Sequence, residues 1–322
     1  MRNRRNHHPK DGRFTGLRAC VLAVLAAALL TGCARAQTAQ TTASPETTES
    51  VQITEPVQTT EPVQTTEAPG TTEPETTEQT TEPVIGTQGW EERLYGTDIL
   101  KSEVETISFR ASLEGAPEEA LDISESGNGR VLFWAEPGSQ GRRLVIAGDG
   151  RVILPEMCSY LFCGFSSLTS IDFADAVDTS RTTAMDAMFL GCSQLKKLDL
   201  SCFQTENVEN MQDMFNGCTG LAKLDVHSFD TRKVTNMWGM FAMCGSLTEL
   251  DLSNFDTAQV TRIGLIFTEC SGLRKLNLTN WRLEATYEKA AMFYGCSPKL
   301  NLIADDPRFR EEFDLYVTQL QE

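Results

Sequence analysis

Met214-Phe215-Asn216-Gly217-Cys218-Thr219-Gly220-Leu221-Ala222-Lys223-Leu224-Asp225-Val226 returns 26 residues later as Met240-Phe241-Ala242-Met243-Cys244-Gly245-Ser246-Leu247-Thr248-Glu249-Leu250-Asp251-Leu252. The same interval separates Cys192, Cys218, Cys244, Cys270 and Cys296 without deviation. Met188-Phe189, Met214-Phe215, Met240-Phe241, Ile266-Phe267 and Met292-Phe293 each end three residues before one of those cysteines. Leu198-Asp199-Leu200, Leu224-Asp225-Val226, Leu250-Asp251-Leu252 and Leu276-Asn277-Leu278 keep the period. A fixed period in the twenties marks units that cannot bury their own apolar side and must stack to share a core.

Each unit reads in two halves. Leu198 and Leu200 alternate with Asp199, which is strand periodicity. Val208, Met211, Met214 and Phe215 follow at spacings of three, three and one, which predicts one face of a short helix. The expected architecture is an α/β solenoid of coils of about 26 residues, each a short strand plus a short helix, running over 157–296. The first unit is longer. Phe162 to Phe189 spans 27 residues, and the extra one falls between Asp172 and Val177. Phe165 stands where later units carry cysteine, as suits a terminal coil that meets a cap.

The units beginning at Met214 and Leu250 closely resemble the BspA-like leucine-rich repeat surface proteins of bacteria, also described as a mycoplasma-type lipoprotein repeat, DUF285-like. The resemblance covers roughly Leu121 to Cys296. It implies a leucine-rich-repeat-like solenoid on the cell surface, and binding or adhesion rather than catalysis. Family members share no single ligand, so it implies an architecture and a location more firmly than an activity.

The amino end has a different composition. Met1 to Arg18 carries Arg2, Arg4, Arg5, Lys10, Arg13 and Arg18, and Ala19 to Leu30 is apolar. Leu30-Thr31-Gly32-Cys33 follows, so 1–32 reads as an export signal too short to remain as a spanning helix. A cysteine directly after Gly32 suits a lipoprotein signal, with Cys33 lipidated as the mature amino terminus; the alternative is a plain secretory signal. Acylation with more than one chain gives stable anchorage. Residues 33–86 are almost all Thr, Glu, Pro, Val and Gln, without an aromatic side chain. Such a segment cannot build a core. From Ala34 to Gly86, nine glutamates against the single Arg35 extend it further, and fully stretched it would reach ~150 Å.

Residues 87–156 read as a small β-rich amino-terminal cap. Strands are expected at Val104–Phe109, Arg130–Trp134, Arg143–Ile146 and Val152–Leu154, joined as a meander by Gly- and Pro-rich turns. Residues 297–322 form a carboxyl-terminal cap. Leu300 and Leu302 imitate one more strand, Asp306-Pro307 starts a helix, and Phe309, Phe313, Tyr316 and Leu320 share its inner face.

The chemistry of an enzyme is not apparent. His7 and His8 fall in the signal, which leaves His227 in a slot held elsewhere by Ser201, Ser253 and Thr279. The repeated cysteines are equivalent copies, which suits an inward structural ladder better than one activated nucleophile. One thiol per coil also forms a line, whereas a tetrahedral zinc site needs convergence. Disulfides are the competing reading in an exported chain, and a Cys158–Cys163 bond is a further option. No catalytic, cofactor or metal site is expected, and a formal charge of -17 does not suit nucleic acid.

The candidate interaction surface is the strand side. Asp172, Asp199, Asp225, Asp251 and Asn277 form one outward column, and Lys197, Lys223, Glu249 and Lys275 a second, two residues earlier. One reading is a solvated face on which the lysines neutralise the aspartates. The other is a polar strip for an extracellular protein or glycan. The functional expectation is a lipid-anchored, non-catalytic surface protein on the outer side of a bacterial membrane. An envelope component without a specific ligand is the alternative, and a surface hydrolase a weaker one.

Overall fold

The computed structural model describes residues 82, 84–86, 91–286 and 288–321. The export signal, Cys33 and nearly all of the spacer lie outside the described residues. Among the described residues, eleven strands and one α-helix follow in chain order. They are β1 (Val104–Arg110), β2 (Leu121–Asp122), β3 (Val131–Pro137), β4 (Arg142–Gly148), β5 (Val152–Ile153), β6 (Ser170–Asp172), β7 (Val177–Asp178), β8 (Lys197–Leu198), β9 (Glu249–Asp251), β10 (Lys275–Leu278), β11 (Asn301–Ala304) and α1 (Pro307–Gln319).

The repeat interval reappears as backbone register. Lys275 pairs with Glu249 on one side and Asn301 on the other, always in parallel. Ser170 pairs with Lys197, an offset one residue longer, as the first unit's extra residue requires. That extra residue is absorbed by two consecutive left-handed residues, Ala174 and Asp175. Residues 221–226 continue the same path between the two sets of paired strands.

The second half of each coil is not the expected short helix. Residues 185–190 and their copies are turns whose amide groups alternate between two destinations. Met211, Asp213, Phe215 and Gly217 donate to the carbonyls of Asn236, Trp238, Met240 and Ala242 on the next coil, at 2.8–3.0 Å. Met214, Asn216 and Cys218, between them, donate three residues back within their own coil. The path requires two left-handed residues per coil, four apart, at Ala187 and Gly191, Asp213 and Gly217, Gly239 and Met243, Leu265 and Glu269, and Ala291 and Gly295. Three-residue turns bury every third side chain, so the apolar spacing imitates a helix.

The shared core is built of columns. Phe162, Phe189, Phe215, Phe241, Phe267 and Phe293 stack with centroids 5.5–6.0 Å apart. Phe229, Phe255 and Trp281 form a second stack. Four of the Phe carbonyls use both lone pairs. Phe215 O accepts the Cys218 amide at 3.1 Å and the Cys244 thiol of the next coil at 3.3 Å, and the pattern recurs at Phe189, Phe241 and Phe267. Cys218, Cys244, Cys270 and Cys296 are buried free thiols. Burial pushes Cys270 up to about 12 and Cys218, Cys244 and Cys296 well above the ordinary thiol range.

A third column is polar. Buried Thr179, Thr205, Thr231 and Thr257 each donate to a carbonyl of the next coil at 2.9–3.1 Å. Each hydroxyl also accepts the amide of that same residue, at 2.7–2.8 Å. A buried hydroxyl without such partners would destabilise its coil.

Both caps depart from expectation in detail. The amino-terminal strands are not a meander: β3 and β4 are antiparallel, but β1 pairs in parallel with β4 and with β6. The strand order β2-β3-β4-β1-β6-β8 therefore runs the cap sheet directly into the coils. The folded part also begins before residue 87. Val84 and Ile85 are buried, Ile85 N donates to Ile153 O at 3.0 Å, and Glu125 N donates to Val84 O at 2.9 Å. Adjacent aliphatic side chains gain by leaving water where the surrounding Thr and Glu do not. Cys158 is a free thiol, so there is no Cys158–Cys163 bond; its Sγ–H donates to Pro155 O at 3.3 Å. At the other end Asp306 caps α1 through the Arg308 amide at 3.0 Å, with Pro307 in the first turn. Phe309 and Phe313 close the last coil, and Tyr316 packs beside them. Leu320, however, is the C-cap and is exposed.

Candidate functional site

The strand side positions its polar residues through the alternation of each short strand. Leu198, Leu224, Leu250 and Leu276 point inward and are buried. Lys197, Lys223, Glu249 and Lys275 precede them and are exposed. The next column is Asp172, Asp199, Asp225, Asp251 and Asn277, of which Asp251 and Asn277 are half-buried. The structure therefore brings every residue of the expected surface onto one face of adjacent coils.

It also separates the two columns by role. Asp199, Asp225, Asp251 and Asn277 each accept, through Oδ1, the backbone amide two residues on, at 3.0–3.1 Å. Asp172 does the same for Ala174 at 3.1 Å. These are local turns in which a side chain replaces a missing backbone partner. They hold Asp199 and Asp225 below the usual carboxylate range, chiefly through the Ser201 and His227 amides. Asp251 is lowered chiefly by hydrogen bonds from Ser253. The repulsion of Asp225 on Asp199 works the other way and is a lesser influence.

The lysine column behaves differently. Among the described residues, Lys197, Lys223 and Lys275 form no ion pair. The expectation that this column neutralises the aspartates is thus not met at contact distance. Their tips lie apart because the Asp carboxylates turn toward their own backbone. Lys196 and Arg274 occupy the corner one residue earlier and are exposed beside Lys197 and Lys275. Sequence reasoning missed both, although the 26-residue period places them together with Ala222 and Thr248.

His227 is a surface turn residue whose Nδ1 lies 2.9 Å from Asp225 Oδ1. On the opposite, turn side sits a buried polar cluster. Asp213 accepts from Asn216 Nδ2 at 2.8 Å and Gln212 Nε2 at 3.1 Å, while Asn216 Oδ1 is buried with no partner. Burial raises the Asp213 carboxyl, with a further push from Asp186 and a smaller pull from Arg262. Gly239 leaves room for that carboxylate, since a Cβ there would collide with Asp213 Oδ1. No group of three or more metal-ligating side chains occurs among the described residues. Nor is any helix among them long and apolar enough to cross a membrane.

The family model described as "Mycoplasma protein of unknown function, DUF285" matches residues 157–250 and again residues 183–304. The two matches begin 26 residues apart (183 less 157), which is one coil. The repeat region is thus similar to that family, and the match does not extend over the amino-terminal cap. No curated protein and no solved structure matches the chain.

Proposed function

We propose that this is a lipid-anchored bacterial surface protein of the BspA-like leucine-rich-repeat type, which binds an extracellular protein or glycan through the strand face of a solenoid. The observation that carries this reading is a row of exposed lysines, without ion pairs to described carboxylates, on a repeated parallel-paired frame. The export signal and Cys33 support surface display, and Cys33 would hold the lipid that docks the chain to the membrane. The repeat match supports the family assignment at its coarser level. The role is non-catalytic, with no cofactor or metal.

A structural or antigenic envelope role is the second reading. It is favoured by one observation: the aspartate column is engaged with its own backbone. The experiment compares retention of whole cells on matrix, mucin and other bacterial surfaces. Cells display the wild type or a Lys223→Tyr/Glu249→Tyr variant, which crowds the face and leaves the Asp turns intact. Loss of retention in the variant supports the binding reading. Equal retention contradicts the strand face, and no retention by either supports the structural role. Cys33→Ser should abolish labelling by a palmitate analogue, whereas equal labelling contradicts the anchor.

A further inference from the structure

The lysine strip has a directional charge pattern. Lys196 and Lys197 lie on one coil, Lys223 on the next, and Arg274 and Lys275 two coils further. Strands in such a stack sit about 4.8 Å apart, so these cations extend over roughly 14 Å parallel to the stack axis. None forms an ion pair with a described carboxylate. The intervening coil contributes Glu249, the one acidic member of the column. The aspartate column lies two residues along each strand, so it bounds the strip on one side only.

We propose that this strip binds a linear anionic polysaccharide, one bearing uronate or sulfate groups, aligned with the stack axis. The inference rests on the reading of the strand face as a binding surface and names the chemical class of its partner. A polymer with charges at short regular intervals can meet a cation on successive coils at once. Many weak contacts then act together, because each bound charge raises the effective concentration of the next. An acidic peptide fits less well. Peptides are captured at a free strand edge, in apolar pockets or, for acidic motifs, by clustered arginines, and of these five cations only Arg274 is an arginine. Here the β6, β8, β9 and β10 backbones pair within the stack, and Leu198, Leu250 and Leu276 are buried beneath the strip. The overall charge of -17 works against distant attraction, but nine glutamates belong to the spacer, and salt confines such fields to about 8–10 Å.

The test uses the whole mature chain and a fluorescent heparin oligosaccharide of fixed length, followed by anisotropy at low and physiological salt. Wild type should bind, with affinity falling as salt rises. Glu249→Lys completes the column and should tighten binding by roughly 1.5- to 5-fold, the value of one exposed ion pair. This gain cannot come from a misfolded variant. Lys197→Gln/Lys223→Gln/Lys275→Gln should weaken binding by about 5- to 50-fold, while Lys233→Gln, outside the strip, should leave it unchanged. The proposal is overturned if wild type does not bind, or if Glu249→Lys gains nothing. Equal or tighter binding of labelled polyglutamate overturns the polysaccharide class in favour of an acidic peptide. A partner that the strand face still retains in the triple glutamine variant would leave the binding reading standing and remove the polyanion.

Discussion

The two halves of one coil satisfy the same backbone in different ways. In the strand half, β9, β10 and β11 pair in plain parallel register, and each strand needs only alternation of inward Leu with outward polar residues. In the turn half, every second amide reaches the next coil and the others fold back locally. That alternation requires left-handed residues, and Ala187, Asp213, Leu265 and Ala291 accept this conformation without being glycine. A strand half can therefore tolerate substitutions in its exposed lysine column, whereas a turn half concentrates strain and buried polar groups. A mutation in the shared core or the turn half should be felt along the stack, and one in the exposed lysine column should stay local.

The largest effect should come from the aromatic column that both halves share. Phe215 stacks on Phe189 and Phe241 at 5.6 and 5.7 Å, so Phe215→Ala should cost about 3–5 kcal/mol. Because coils depend on neighbours, denaturant unfolding should lose cooperativity across 189–241 rather than at one site. An effect confined to one coil would break the picture of a common core. Thr231→Val should come next, at roughly 1–3 kcal/mol, because it leaves Asp256 N and Asp256 O without their partner. Replacement by Ser should recover most of the loss in the same chemical denaturation experiment.

Cys218→Ala should cost about 1–2 kcal/mol, from a small void and a lost S–H bond to Phe189 O. In native protein the Cys218 and Cys244 thiols should resist alkylation and react fully after denaturation without reductant. A mass lower by the hydrogens of a Cys218–Cys244 bond would contradict the free-thiol ladder.

The smallest effect sharpens the comparison by its sign. Asp213 is a buried, left-handed carboxylate beside the partnerless Asn216 Oδ1. Asp213→Asn should stabilise by roughly 1 kcal/mol at neutral pH, since Asn suits that backbone and can donate to the orphan oxygen. The folded pKa of Asp213 is raised above 3.8, so the wild type is penalised above that folded value and the penalty vanishes below 3.8. The gain from Asn should shrink on acidification. Asp225 on the strand side runs oppositely. Its folded pKa is depressed, so its stabilisation is present above 3.8 and is lost as pH falls through the lower folded value. Thermal melts of the wild type, Asp213→Asn and Asp225→Asn against pH would separate the two halves.

Much of this was legible in the period alone. Equivalent cysteines implied packing, and Leu-Asp-Leu implied one buried and one exposed column. The turn half reads as a helix because Val208, Met211, Met214 and Phe215 satisfy a helical face, and spacing does not report where an amide donates. A signal existed in Gly239, a poor residue for a helix interior, and in Gly191, Gly217 and Gly295 at a shared position. The threonine column at 179, 205, 231 and 257 kept the same 26-residue interval and could have been recognised. The lysines' lack of ion pairs could not, since it depends on which way each Asp carboxylate turns. Val84 and Ile85 were hidden by the composition around them.

The most direct test of the coil is NMR detection of scalar couplings across hydrogen bonds in the turn half. Couplings should connect Met211 N to the Asn236 carbonyl, Asp213 N to that of Trp238, and Phe215 N to that of Met240. Couplings from these amides to carbonyls four residues back in their own coil would mean a helix, and would contradict the coil-to-coil ladder.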